Sequence, residues 1–192
     1  MPDLVVKIGG GLLAAVEDLD RVLALLASHA RSCRTLVVPG GGPFADTVRS
    51  IDRRVGLPDE AAHWMAVLAM DQYARLLTAR LATAIIVYSL ADAIAALEAN
   101  RIPVLAPSRW LQDEDPLPHT WDVTSDSIAA WIAGVSGARE LVLVKPRGAT
   151  GDLVDSYFAR VLPWHVTPTF VAAENVEAVF NQIAARLAAI SL

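Results

Sequence analysis

Two short apolar runs, Leu4-Val5-Val6 and Leu141-Val142-Leu143-Val144, each lead into a lysine and then into glycines. Those lysines, Lys7 and Lys145, are the only two in the 192 residues, so every other basic side chain of the Lys/Arg class is an arginine. Gly9-Gly10-Gly11 follows the first lysine, and Gly148 and Gly151 follow the second. Apolar runs this short, bounded by glycine, read as strands buried on both faces, which commits the chain to a sheet covered by helices. In open sheets of that kind, ligands gather beyond the carboxyl ends of the strands. There, glycine-rich turns and helix N-termini present N–H groups to phosphate oxygens. A lysine ammonium is a compact charge suited to that position. The placement points to phosphate chemistry.

Along the chain, strands and helices alternate. Strands are expected at 4–8, 35–39, 84–88, 103–106, 141–145 and 169–172, with helices at 12–30, 44–54, 58–81, 91–100 and 174–190. Leu13, Val16, Leu19, Leu23 and Leu26 keep helical spacing in the first helix, and Pro58-Asp59 suits the first turn of the third. Residues 108–121 hold two prolines and three acidic residues and read as a loop with room for a short edge strand. Ser125 and Asp126 can cap a helix that runs through Ala133 and stops at Gly134. Residues 148–168 read as irregular, with 157–161 the candidate for an extended stretch. The expected architecture is a three-layer αβα sandwich around a mostly parallel sheet, in one domain over residues 1–192.

Four segments carry the chemistry. Lys7-Ile8-Gly9-Gly10-Gly11 lets backbone close on a polyphosphate while the ammonium neutralises the transferring group; the alternative is a plain tight turn with a snorkelling lysine. Its spacing fits neither a Walker A loop nor a dinucleotide fingerprint. Gly40-Gly41-Gly42-Pro43 ends the next strand, and three successive glycines favour a turn that something else approaches closely. Thr124-Ser125-Asp126 is either a capping cluster or a carboxylate that holds both lysines. Lys145-Pro146-Arg147-Gly148 is the fourth; Arg147 either adds charge for a phosphorylated ligand or faces solvent. His63, Trp64, Met65, Met70 and Tyr73 on the long helix read as core or interface residues, with a substrate-pocket role for His63 or Trp64 as the lesser alternative.

Composition excludes several classes. A net charge of −5 and a pI near 5.3 argue against nucleic acid as partner. The mean hydropathy of +0.42 is high, yet charged residues and prolines break every apolar segment before membrane-spanning length. The N-terminus enters a strand directly without a basic leader segment. Cys33 is the sole cysteine and reads as a small buried hydrophobe, in keeping with a reducing cytoplasm. The four histidines show no metal-ligand spacing, and no G-x-S-x-G nucleophile elbow is present.

In order, Lys7-x-Gly-Gly, Gly40-Gly-Gly-Pro, Thr124-Ser-Asp126 and Leu-Val-Lys145…Gly148 resemble the amino acid kinase family across most of the chain. The resemblance implies the αβα sandwich and transfer of the γ-phosphoryl group of Mg-ATP, with ATP and Mg²⁺ as cofactors. Carried over by motif, Lys7, Asp126 and Lys145 would be catalytic, with Asp126 organising the two lysines. Gly9, Gly10, Gly11, Lys145, Arg147 and Gly148 would hold nucleotide phosphates. Gly40, Gly41, Gly42, Thr124 and Ser125 would face the acceptor. His63-Trp-Met…Met70-Asp-Gln-Tyr73 and the segment from Trp121 to Trp131 resemble a short branch of that family, which serves methanofuran and methylofuran biosynthesis. The acceptor this implies is (5-(aminomethyl)furan-3-yl)methyl phosphate, and the product its diphosphate. A carboxylate kinase forming an acyl phosphate, or a kinase fold kept only as a binding subunit, are the rival readings. Two departures stand out: the part after Gly151, within a nucleotide-binding region of about 141–192, is short for the family. Val144-Lys145-Pro146 also replaces the usual Thr-Asp or Thr-Lys strand end. A homodimer through the apolar helix of residues 61–81 is the expected assembly.

Overall fold

A computed structural model describes residues 1–30, 32–150 and 153–190; Gly151, noted above after Lys145, lies outside them. The strands are β1 (Leu4–Ile8), β2 (Thr35–Pro39), β3 (Ala84–Val87), β4 (Ile102–Leu105), β5 (Glu140–Lys145) and β6 (Thr167–Ala172). The helices are α1 (Val16–His29), α2 (Gly42–Val55), α3 (Asp59–Arg80) and α4 (Leu90–Glu98), then α5 (Ser108–Glu114), α6 (Ser125–Val135), α7 (Phe158–Val161) and α8 (Val176–Ile190). The six strands form one sheet in the order β3-β4-β2-β1-β5-β6, with every pairing parallel. After β1 the chain builds β2, β4 and β3 on one side, then β5 and β6 on the other. The topology therefore switches at β1, and the crevice between the ends of β1 and β5 is where such sheets bind ligands.

Each face of the sheet has its own core. One packs α1 and α8 with Leu4, Val6, Ile8, Val142 and Val144; the other packs α4 and α6 with Val5, Leu141 and Leu143. Successive side chains on a strand point to opposite faces. Lys7 therefore shares its face with Val5, and Lys145 shares its face with Leu141 and Leu143. Both lysines are delivered to the α6 side by parity alone. α3 contributes Tyr73, Ala74 and Leu77 to the first core, and Val67 and Met70 to the second.

Several expected elements differ. The first helix does not begin at residue 12: Gly10–Ala14 winds into a 3-10 turn anchored by the buried Leu12, and α1 starts at Val16. The segment 108–121 opens with α5, because Asp71 on α3 accepts from the Ser108 backbone N–H and hydroxyl and so caps it from outside. Gly134 lies inside α6 and does not end it; Pro163 packs so closely there that a Cβ would meet its ring at 2.5 Å. Residues Phe158–Val161 form a helical turn with Phe158 buried in the core, not an extended stretch. β6 begins two residues early and includes Pro168, which an edge strand tolerates. Cys33 is buried just before β2, and none of the described helices is long and apolar enough to cross a membrane. The apolar side chains of α3 are largely taken up within the chain, leaving Leu68 as its exposed large hydrophobe.

Candidate active site

Lys7 and Lys145 converge on one carboxylate. Lys7 Nζ lies 2.8 Å from Asp126 Oδ1, and Lys145 Nζ lies 3.0 and 2.9 Å from Oδ1 and Oδ2. The three side chains are 6%, 13% and 9% exposed for Lys7, Lys145 and Asp126. Burial pushes the Asp126 carboxyl up, but Lys7 and Lys145 more than reverse this and hold it below the ordinary carboxylate value. Burial, then the charge of Lys7, brings Lys145 below the usual lysine range against the pull of Asp126. Two ammonium groups against one carboxylate leave an excess positive charge, poised to receive an anion.

The position of Asp126 follows from the start of α6. Thr124 is the N-cap, its hydroxyl accepting from the Asp126 N–H at 3.4 Å. Asp155 fastens this turn from a distant segment. Its Oδ2 accepts from Thr124 N–H (3.0 Å), the Thr124 hydroxyl (2.7 Å) and Ser127 N–H (3.1 Å); its Oδ1 accepts from the Ser127 hydroxyl and Tyr157 N–H. Sequence reasoning missed Asp155. Its partners on α6 stand 28 to 31 residues earlier, so no local pattern marks it.

The glycine loops approach each other before they approach any ligand. A Cβ on Gly10 would stand 2.1 Å from the Gly42 nitrogen, and Gly42 has a φ of +54°. The close approach expected at Gly40–Gly42 is therefore made, in part, by the first loop itself. This corrects two residues. Gly9 N–H is committed to Val144 O at 2.9 Å and Gly40 N–H to Ile8 O at 2.8 Å, so both extend the sheet and neither is free to donate to a phosphate. Gly10, Gly11, Gly41 and Gly42 line the adjoining cleft, at the beginnings of the 3-10 turn and of α2, where N–H groups lack helical acceptors.

That cleft has a volume of about 240 Å³ and opens from Lys7 and Asp126 outward between α2, α3 and residues 120–126. Thr124 and Ser125 line it as well. α2 presents Ala45, Asp46 and Arg49 to it, one helical face counted from Gly42. α3 presents Asp59, Ala62, His63, Ala66, Val67 and Met70. His63 and Met70 are buried, as expected for core residues, and also line the cleft, which for His63 agrees with the pocket alternative; Tyr73 is wholly buried beside Gly9 O, 3.5 Å from its hydroxyl. Burial, helped by stacked His119 (ring centroids 4.5 Å apart), lowers the His63 pKa to about 4 despite Asp115 nearby. His63 is therefore uncharged at neutral pH. Trp121 closes the opposite side; its Nε1 donates to Asp52 at 2.8 Å, and the Arg49 guanidinium lies 4.9 Å from its ring centroid.

Beyond β5 the surroundings change. Arg147 is half-exposed and donates to Asp18 on α1 at 2.6 and 3.1 Å, while Gly148 N–H donates to Glu174 at 3.3 Å. Neither residue lines the cleft, and Lys145 meets it only through Asp126. The described residues contain no cluster of three or more His, Cys, Asp or Glu fit to hold a metal ion.

Comparison with known proteins gives the following. Residues 4–146 match the model of the amino acid kinase family. A [5-(aminomethyl)furan-3-yl]methyl phosphate kinase from Methanocaldococcus jannaschii is 30% identical over 139 residues, covering 72% of this chain. The match spans 63% of that relative's length. Among solved structures, uridylate kinase from Archaeoglobus fulgidus superposes with a TM-score of 0.71 at 17% identity, over 94% of this chain and 96% of that one. UMP kinase from Bacillus anthracis superposes with a TM-score of 0.60 at 16% identity, over 77% and 66%. These two share the fold.

Proposed function

The chain belongs to the amino acid kinase family, and we propose that it transfers the γ-phosphoryl group of Mg-ATP to a small phosphomonoester. The first candidate is (5-(aminomethyl)furan-3-yl)methyl phosphate, converted to its diphosphate, as the name of the Methanocaldococcus relative suggests. The observation that carries the reading is the pair of buried lysines on one carboxylate, at the ends of adjacent parallel strands and at the head of a cleft.

An oxygen of the acceptor phosphate would attack the γ-phosphorus as the bond to the ADP oxygen breaks. An ionised phosphate needs no base, so Asp126 is assigned a positioning role: it keeps both ammonium groups charged and aimed. Lys7 and Lys145 would neutralise the equatorial oxygens, with Gly10 and Gly11 N–H groups adding directed donors. Gly41, Gly42, Thr124 and Ser125 would hold the acceptor phosphate. Residues around 141–192, with Arg147 and Gly148, would form the nucleotide side. Mg²⁺ would come bound to ATP and would offset phosphate charge, since such ions are often held chiefly by substrate oxygens. Exposed Leu68 on α3 and Ile85 on edge strand β3 offer apolar surface for a homodimer.

The test is ³¹P NMR of the protein with Mg-ATP and the furan phosphate, beside UMP and N-acetylglutamate. A diphosphate signal with the furan alone supports the reading. Transfer to UMP moves the acceptor, and a hydroxylamine-trapped acyl phosphate replaces the reaction class.

A further inference from the structure

Charge is distributed unevenly along the cleft. At the inner end, Lys7 and Lys145 outnumber Asp126. On α2, Asp46 and Arg49 cancel, their atoms 2.9 Å apart. Among the carboxylates lining the cleft, Asp59 has no hydrogen bond or ion pair to any described residue. It stands in the first turn of α3, eleven positions before Met70, a separation of roughly 16 Å along the axis at the rise of an α-helix. Between the two ends the wall is Ala62, Ala66, Val67, Trp121 and the neutral His63. The cavity is thus positive within, apolar in the middle and negative at the rim.

We propose that Asp59 is the specificity residue for acceptors carrying a cationic amine at the end remote from their phosphate. The inference rests on the phosphomonoester kinase reading above and narrows its substrate class. The acceptor phosphate must queue behind the transferring group, so a ring and a methylene extend outward before an ammonium reaches the rim. There a free carboxylate completes a charge-assisted hydrogen bond, which a neutral hydroxyl in the same place would replace poorly. An acceptor with an uncharged base, such as a pyrimidine nucleotide, would leave Asp59 unpaired.

An acidic residue in a first turn also favours its helix, so the test needs a readout that helix stability does not move. The aminomethyl-furan phosphate is compared with its counterpart bearing a hydroxymethyl group in place of the aminomethyl. Both are measured for kcat/KM with Mg-ATP and for affinity by calorimetry, using the unaltered protein, Asp59→Asn and Asp59→Glu. The expected result is a loss of about tenfold or more in kcat/KM for the amine in Asp59→Asn. The hydroxymethyl compound should be unaffected, and Asp59→Glu should recover most of the difference. Equal losses for both compounds, or none for either, overturn the proposal. If the unaltered protein binds the amine in preference to the hydroxymethyl compound through Asp59 but transfers phosphate to neither, the selectivity stands and the kinase reading falls. If it binds neither, both fall.

Discussion

The two sides of the Lys7–Asp126–Lys145 cluster are built on different plans. On the α2–α3 side, side chains from three segments enclose a cavity, and several of its polar side chains, Asp59 and Ser125 among them, have no hydrogen-bond partner among the described residues. On the β5 side, most polar groups are already matched: Arg147 with Asp18, and Gly148 N–H with Glu174 Oε1, with Glu174 Oε2 left unpaired among the described residues. A preformed cavity with unmatched groups suits a ligand that must be discriminated. A side whose groups are internally paired must exchange those pairs to bind anything, which suits a ligand held mainly by its phosphates. Asp126 is common to both, so the comparison can be tested by substitutions that strike both sides, the centre, or only one.

Asp126→Asn should have the largest effect, since it leaves two buried ammonium groups side by side without their carboxylate. Loss of one partner from a buried ion cluster costs about 3–5 kcal/mol, and turnover should vanish with it. Denaturant unfolding and a turnover assay would read both, and a stable, active variant would dissolve the common centre. Lys7→Ala keeps the Lys145–Asp126 pair, so it should lower kcat by about 10²–10³-fold while unfolding less easily than Asp126→Asn. A collapse in stability with kcat preserved would make Lys7 a structural cation. Arg147→Ala sharpens the contrast: KM for ATP should rise severalfold while KM for the acceptor stays put, and a matching rise in both would erase the division.

The smallest effect concerns His63. Its folded pKa of about 4 lies below its ordinary 6.5, so between these values the unfolded chain takes up a proton that the folded one refuses. Stability should therefore decline as pH falls from about 6.5 toward 4, and His63→Phe should flatten that slope. Thermal melts across this range check it; an unchanged slope would place the acid sensitivity elsewhere.

β1, β2, β4 and β5 were legible because their apolar runs lead into glycine or proline and tolerate few alternatives. Both lysines were legible for the same reason, as charged residues ending otherwise apolar strands. The elements that escaped depend on partners far along the chain. α5 is capped by Asp71 and α7 is a single turn nailed down by Phe158, neither of which leaves a periodic trace. Gly134 misled because absence of a side chain serves close packing against Pro163 there, whereas helix-ending glycine looks identical in sequence. The cleft wall was partly recoverable. Counting by helical spacing from Gly42 reaches Asp46 and Arg49, and counting from Asp59 reaches His63 and Met70. Gly9 and Gly40 show the opposite limit, since a glycine beside a site can belong wholly to the scaffold.

Strand parity has one further consequence. Lys7 faces α6 only because an odd number of steps separates it from Leu4. A single residue inserted between them would leave every amino acid present and still turn the ammonium toward α1 and α8, into a dry layer with no carboxylate waiting. For this chain, a change of length in β1 should be as damaging as a change of letter, and it would leave Lys7 in the alignment while removing it from the chemistry.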